Sequence, residues 1–473
     1  MASSISFIRI FENIGRPEMI ILGKTISIKK EWFLYDKIVV TTPMRKVATL
    51  HNLMVYLFHF LVCVTPLIFF KGVNEIFEFP KMTFVYLCVS LIFLLFSCKR
   101  ILANDFKFKF SRFFIPVSLF LLANTLSTLF SIGTYTSIWG YYTRFNGGLV
   151  SIIIFTIMYF IFINELSAEE RESVLRTIIL GSIPVSLYGI AQNLGYEKGY
   201  WEEDSQARVF ATLGQPNWLA AYLILIIPPT LYKMLSVRDE RAKLLFFLVA
   251  AMAYASLWFT YSLSGLLGFG VSMILFSTFV DKAVVKHNLR FVMSLVFVFL
   301  LISFLRPGVI KPKVIDSIND IRKKFSVSFA AYADEDTSEK RFGDTTAIRL
   351  GIWEGTKSLI FASPKNFLIG TGPETFPYAF LKYRPKELNQ TTEWNFVFNK
   401  PHNFYLEIFS NLGLFGFFSY LLIIKTVLFK LKEKTNFHLA SGLSALFVSD
   451  FFGWHTVTAS MLLYLFLGLM EDS

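Results

Sequence analysis

The chain has 473 residues, 54% of them hydrophobic and only 17% charged, with a net charge of +12 and a mean hydropathy of +0.53. A soluble domain carries about 25% charged residues. A soluble fold of this composition would leave large apolar patches in water, and the 54 phenylalanines suit a lipid-facing surface better. The positive balance resembles that of a nucleic-acid binder, but in so apolar a chain it is accounted for by the Lys and Arg that collect in cytoplasmic loops, so no nucleic acid is expected as a partner.

In chain order, residues 1–48 form a basic segment, expected to be a cytoplasmic extension. The first long apolar run begins only near Leu50, too late for the apolar core of a cleavable signal peptide. A membrane helix needs roughly 20 mostly apolar residues. Runs of that kind fall near 49–70, 82–98, 113–131, 147–163, 173–193, 217–236, 244–261, 264–281, 290–306, 405–425, 437–453 and 456–470. The pattern predicts an all-α polytopic membrane protein of about 12 transmembrane helices, nine in residues 49–306 and three in 405–473. The runs meeting at 261–264 read as a tight helical hairpin, and the last two read as similarly close. Cys63, Cys88 and Cys98 lie in or at the end of apolar runs without metal-ligand spacing, so packing roles are expected and no metal site.

Orientation follows from the Lys and Arg of the short loops. With the N-terminus inside, the inner short loops hold seventeen, from Lys99 to Lys434, and the outer ones five: Lys71, Lys81, Arg144, Lys198 and Arg208. The segment 1–48 adds eight to the inside. The segment 307–404 is then external, long for a connection, and rich in aromatic residues that a disordered tail lacks. It is expected to be an ordered helical cap. Within it, Thr345–Ala362 reads as an amphipathic helix capped by Thr345 or Thr346, with Arg349, Trp353 and Lys357 spaced along one face.

Three segments on the predicted outer face carry chemistry. The first runs from Arg208 to Asn217 and includes Gly214 and Pro216. It breaks the chain before a helix start, where backbone N–H groups favour an anion, and Arg208 offers a fork suited to phosphate. The second is Arg349 beside Trp353 on the cap helix. The third is Pro401-His402-Asn403 before the tenth span, where a histidine can exchange protons near neutral pH at the membrane boundary. Taken alone, the first two read more readily as ordinary structure, a turn with a surface arginine and a solvated helix face, and the third reads equally as an interfacial cap. His51-Asn52 repeats the His-Asn pair at the inner end of the first span and reads as an interface anchor. Gly370-Thr371-Gly372-Pro373-Glu374 lacks the lysine of a phosphate loop and reads as a tight turn positioning the cap. Acidic residues in the spans are scarce, Asp450 and Glu407 being the main exceptions, which weighs against ion-coupled transport.

Taken together these segments resemble the O-antigen ligase family, which includes lipid-linked O-antigen polymerases and protein O-oligosaccharyltransferases. The resemblance rests on Arg208, Gly214, Pro216 and Asn217; on Arg349 and Trp353; on Gly370, Gly372 and Phe376; on His402, Asn403 and Leu406; and on Ser137-Ile138-Trp139-Gly140 followed by Arg144 and Gly147. It covers residues from about 130 to 430. One departure is Ser262-Leu263-Ser264-Gly265, where many members have Ser-Arg-Gly. The resemblance implies a GT-C-like membrane fold in the bacterial cytoplasmic (inner) membrane, with its active site on the periplasmic side. It implies a metal-independent, inverting transfer, without a cofactor, of a glycan from undecaprenyl diphosphate to a hydroxyl of lipid A-core, a glycan or a protein. The catalytic residues would be His402, Arg349 and Arg208, and the substrate-binding residues Arg144, Asn217, Trp353, Lys357 and Asn403. Membrane lipids would surround the chain. Polymerase chemistry would use the same residues, and a solute carrier of the bicarbonate-transporter kind is the alternative of another class.

Overall fold

The computed structural model describes residues 18–21, 24–27, 30–306 and 344–471, with side chains described from 45 and, in the cap, from 347. The first 17 residues and the 307–343 part of the expected cap lie outside the described residues, as do the side chains of Thr345 and Thr346, the expected helix caps. The described chain is helical apart from one antiparallel ribbon, β1 (Glu18–Ile21) with β2 (Lys24–Ser27), Met19 opposite Ile26.

The helices are α1 (Lys30–Val64), α2 (Glu78–Ala103), α3 (Phe114–Leu129), α4 (Thr134–Trp139), α5 (Leu149–Glu165), α6 (Ala168–Asn193), α7 (Pro216–Ser236), α8 (Glu240–Phe259), α9 (Leu263–Phe279), α10 (Lys282–His287), α11 (Leu289–Leu305), α12 (Asp344–Ile360), α13 (Pro364–Leu368), α14 (Phe376–Phe380), α15 (Phe404–Lys430), α16 (Phe437–Ser449) and α17 (Val457–Leu469). All twelve apolar runs of the sequence coincide with a helix. Among the described residues, six helices are long and apolar enough to cross a membrane: Arg45–Leu67 within α1 and beyond, α2, α6, α7, α8 and α15; the other six that coincide with apolar runs are shorter. α1 begins well before residue 49, so the boundary expected there falls inside a helix.

Local chemistry sets the helix starts. Ser167 and Glu170 form a reciprocal capping box at α6. Asp239, Ser262, Asn403 and Thr456 accept from backbone N–H groups at the starts of α8, α9, α15 and α17. Residues 260–262 link α8 and α9 as closely as the sequence implies, but the two helices pack little on each other and α9 lies against α16 and α7, so they do not form the expected hairpin. The last two helices are less close than the sequence implies: α16 ends at Ser449 and α17 starts at Val457. The intervening residues are held by Asp450, which accepts from Tyr420 Oη (2.9 Å) and His455 Nε2 (3.0 Å).

The chain forms two compact units, residues 1–54 with 94–107 and residues 55–93 with 108–473. In the first, Lys99 Nζ donates to His51 Nδ1 (3.1 Å) and Arg100 pairs with Asp105 (3.0 Å). In the second, α7 is the most enclosed candidate span, with 83% of its apolar window buried, and it packs on α8, α9 and α16. Small residues permit the approach of α9 to α16: a Cβ at Gly268 would lie 2.6 Å from the carbonyl oxygen of Ala445. At one end of this unit, Lys233 pairs with Glu172, Arg290 pairs with Glu240, and Arg171 donates to the Gly468 carbonyl (3.0 Å). These contacts join loops that the charge pattern assigns to one common side.

The cap helix α12 starts one residue ahead of expectation, within the usual scatter of helix ends. Ile348, Ile352, Leu359, Phe376, Phe380 and Leu388 form a small core of its own beneath it. That core fixes which face of α12 points away from the cap interior.

Candidate active site

The segment from Arg208 to Asn217 is shaped by its neighbours. Gln192 Oε1 accepts from the N–H groups of Phe210 (3.2 Å) and Ala211 (2.8 Å). Those amides are therefore occupied, whereas the helix start that the sequence offers to an anion lies further on, at Pro216. Arg208 Nε donates to the Thr260 carbonyl (3.1 Å), which fixes the guanidinium by one edge. Asn217 Oδ1 accepts from Ser262 Oγ (2.7 Å). The serine-rich start of α9 thus ties itself to the start of α7.

On α12, Trp353 Nε1 donates to the Pro401 carbonyl (3.0 Å), so the cap helix holds the Pro401-His402 turn directly. Lys357 is exposed and extends the same face by one turn. Asn403 is buried and caps α15, accepting from the Leu406 N–H (3.0 Å). Its role here is to set the helix start behind His402.

Electrostatics show which side chains share the space. His402 is pushed down to about 4 by burial, then by the positive charges of Arg349 and Arg144. Arg349 is lowered from the ordinary arginine value by burial and by Arg208, with Glu393 opposing. Arg208 is lowered by burial, with Glu203 opposing. Both arginines remain cations at neutral pH. The Arg144 guanidinium lies 5.8 Å from the Trp218 ring and 5.7 Å from the Trp454 ring, and the His402 ring packs edge-on against Trp454 at 5.1 Å. Arg349 and Arg144 therefore act on a neutral imidazole, and Arg208 acts on Arg349. Such a set repels itself and is relieved by an anion.

The backbone around these groups is unusual. Among the described residues, five of seven left-handed non-glycine positions, Phe145, Ala211, Tyr261, Glu374 and His402, lie in these loops. A left-handed non-glycine residue is costly and persists where its surroundings over-determine it, commonly at functional sites.

Several important residues went unnoticed in the sequence. Lys400, two residues before His402, is buried and ion-paired with both Glu374 and Glu407. Burial opposes its charge, but the two carboxylates outweigh burial and raise the ammonium above the ordinary lysine value. Lys81, counted from sequence with an outer loop, is buried in the first turn of α2, donating to the carbonyls of Ile68 and Thr212 (both 2.8 Å). The Gly-rich turn also does more than position the cap. The N–H groups of Thr371 and Gly372 donate to the carbonyls of Ser410 and Asn411 (both 3.0 Å). Those acceptors are available because α15 is broken at Gly413 (φ 65°, ψ −167°). The only signals for these contacts in the sequence were an isolated lysine before a proline and a glycine inside an apolar run.

Residues 241–421 match the model of a family described as O-Antigen ligase. The matched stretch contains Arg349, Trp353, Lys357, His402 and Asn403; Arg144, Arg208 and Asn217 precede it. The match supports assignment of the chain to the O-antigen ligase and polymerase family. No curated protein matches the chain.

Proposed function

We propose that the protein transfers a glycan from undecaprenyl diphosphate to an acceptor hydroxyl at the outer face of the bacterial cytoplasmic membrane. The family match supports an O-antigen ligase or polymerase type of membrane glycosyltransferase in general. The observation that carries the finer reading is that Arg349 and Arg144 both act on the buried His402, whose turn is held by Trp353 of the cap helix, with Arg208 acting in turn on Arg349.

In this reading the arginines hold the diphosphate. His402, neutral at physiological pH, accepts the proton of the acceptor hydroxyl as its oxygen attacks the anomeric carbon from the face opposite the diphosphate. The bond from that carbon to the diphosphate oxygen breaks, the electron pair remains on the diphosphate, and the anomeric centre inverts. Guanidinium groups stabilise the charge appearing on the leaving oxygen, so the step is proposed to need no divalent metal. Removing one such preorganised contact typically costs about 10²–10³ in rate, and removing a general base roughly 10²–10⁴.

Arg208→Ala, Arg349→Ala and His402→Ala should each lose transfer by those factors in a purified assay with a lipid-linked glycan, while the proteins remain folded. Wild-type rates in all three would remove the assignment, and a strict divalent-metal requirement would contradict the mechanism. Identifying what carries the transferred glycan separates ligation to lipid A-core from polymerisation and from protein glycosylation. Uptake of a labelled solute into proteoliposomes without a glycan donor would favour the carrier instead.

A further inference from the structure

Away from the Arg–His cluster, two basic side chains lie inside apolar runs of neighbouring spans: His59 on α1 and Arg176 on α6. Arg176 sits in the third turn of α6, about 12 Å along the axis from Ala168. It is exposed, on the same stripe of the helix as the exposed Leu180 and Leu187. His59 is half-buried beside the exposed Tyr56 and Phe60 of α1. The surroundings of both are therefore lipid, where an ionisable side chain is costly, is usually paired and marks function. Among the described residues no carboxylate pairs with Arg176: Glu172, one turn back, is taken by Lys233. Thr177 joins the two helices. Its hydroxyl donates to the Ser173 carbonyl (3.2 Å), so its oxygen accepts from His59 Nδ1 (2.7 Å). That bond fixes the imidazole and leaves Nε2, the acceptor of the neutral ring, without a partner among the described residues. Arg176, the neighbour of Thr177, is near enough for its charge to act on the ring. A forked cation and a ring acceptor thus sit side by side on the lipid-facing surface.

We infer that α1 and α6 hold the headgroup of one phospholipid here, with its phosphate on Arg176 and a hydrogen-bond donor of the headgroup on His59 Nε2. The guanidinium fork matches two phosphate oxygens at once. The ring acceptor selects among headgroups: an ethanolamine ammonium or a glycerol hydroxyl donates to it, and a choline trimethylammonium has no hydrogen to give. The charge pattern of the loops assigns this end of α6 to the inner side, so the lipid belongs to the cytoplasmic leaflet. Its phosphate meets an arginine whose stem lies along the helix and whose head reaches back toward the interface. The inference uses neither the arginine cluster nor the transferase reading.

The test is native mass spectrometry of the full-length protein, released from detergent micelles containing phosphatidylglycerol, phosphatidylethanolamine or phosphatidylcholine of identical acyl chains. The wild type should retain the glycerol and ethanolamine lipids about tenfold better than the choline lipid, the worth of one hydrogen bond. Arg176→Leu should lower retention of all three by about tenfold or more, since a contact between charged groups is lost. If that variant does not fold, Arg176→Lys takes its place: it keeps the charge but not the fork, and should weaken retention about threefold. His59→Phe should still retain lipid but lose the preference over choline. Arg238→Gln, which removes an exposed arginine between α7 and α8, should change nothing. Equal retention by the wild type and Arg176→Leu, the mark of an arginine that extends to water without a lipid of its own, overturns the inference. So does an equal loss in Arg238→Gln, which would reveal a general attraction of the basic surface. A wild type without headgroup preference, or a preference that survives His59→Phe, takes the headgroup away from His59 and the inference with it.

Discussion

Burial and two guanidinium groups push the His402 imidazole down to about 4, and this has two consequences of definite sign. A general base works in its neutral form, so the acid limb of kcat/KM, which reports the free enzyme, should fall near pH 4. A limb centred near 6.5, the ordinary histidine value, would contradict the assignment. For stability, the unfolded chain takes up a proton between roughly pH 6.5 and 4 that the native protein refuses, so His402 destabilises the fold progressively as pH falls through that window. Lys400 acts in the opposite sense, as a cation required for folding. Lys400→Met would leave the Glu374 and Glu407 carboxylates facing each other in a buried site. Breaking a buried ion pair by removing one partner costs about 3–5 kcal/mol, so a clear drop in Tm is expected, and an unchanged Tm would show that the triad is dispensable. Of these residues His402 was legible in the sequence, because a Pro-His-Asn turn ahead of an apolar run is distinctive. Lys400 was not, and although Glu374 stood in the Gly-rich turn and Glu407 among the few acidic residues of the spans, nothing in their spacing announces that the three meet.

The broken helix α15 shows what hydropathy reveals of an element and what it hides. Its apolar run marks a span correctly, but a glycine within such a run is ordinary in membrane helices, so the break is invisible until the backbone is traced. At Gly413 the chain has φ 65° and a Cβ there would sit 2.3 Å from the carbonyl carbon of Leu368. Gly413→Ala therefore meets both a left-handed backbone and a backbone atom that cannot yield. It should destabilise the protein by about 1–3 kcal/mol or more and release the 370–372 turn from α15, lowering transfer as well as Tm. A variant with normal Tm and activity would mean that the break is incidental. The ends of α16 and α17 illustrate the same limit. Hydropathy ran the two spans nearly together, whereas the connecting loop contributes Trp454, which packs on His402 and Arg144.

For the molecule as a whole, the number of apolar helices was written in the sequence because each spans a continuous apolar run, and the grouping of loops at one end follows the Lys and Arg pattern. The side of the membrane is an inference from that pattern alone. It is open to a direct test through Lys357, which is exposed on the cap. In a background with Cys63, Cys88 and Cys98 replaced by serine, Lys357→Cys should react with a membrane-impermeant thiol reagent in spheroplasts. Labelling only in inverted vesicles would reverse the topology. The scarcity of acidic residues in the spans, weighed against transport from the sequence, needs a finer statement. Glu78 and Glu407 are buried in the first turns of α2 and α15, and Asp450 lies just past α16. They gather at helix ends, next to the loops that carry the arginines and His402.

The left-handed residues set around that centre bear on how the protein could be improved or drift. Ala211 and His402 hold a backbone shape that glycine adopts freely. Selection for heat resistance alone would favour relaxing such positions, since substitutions that relieve strain commonly raise stability while eroding activity. Variants recovered from a stability screen at Phe145, Ala211, Tyr261 or Glu374 therefore deserve suspicion as robust but idle proteins, and a screen for this chain should couple survival on heating to glycan transfer from the first round.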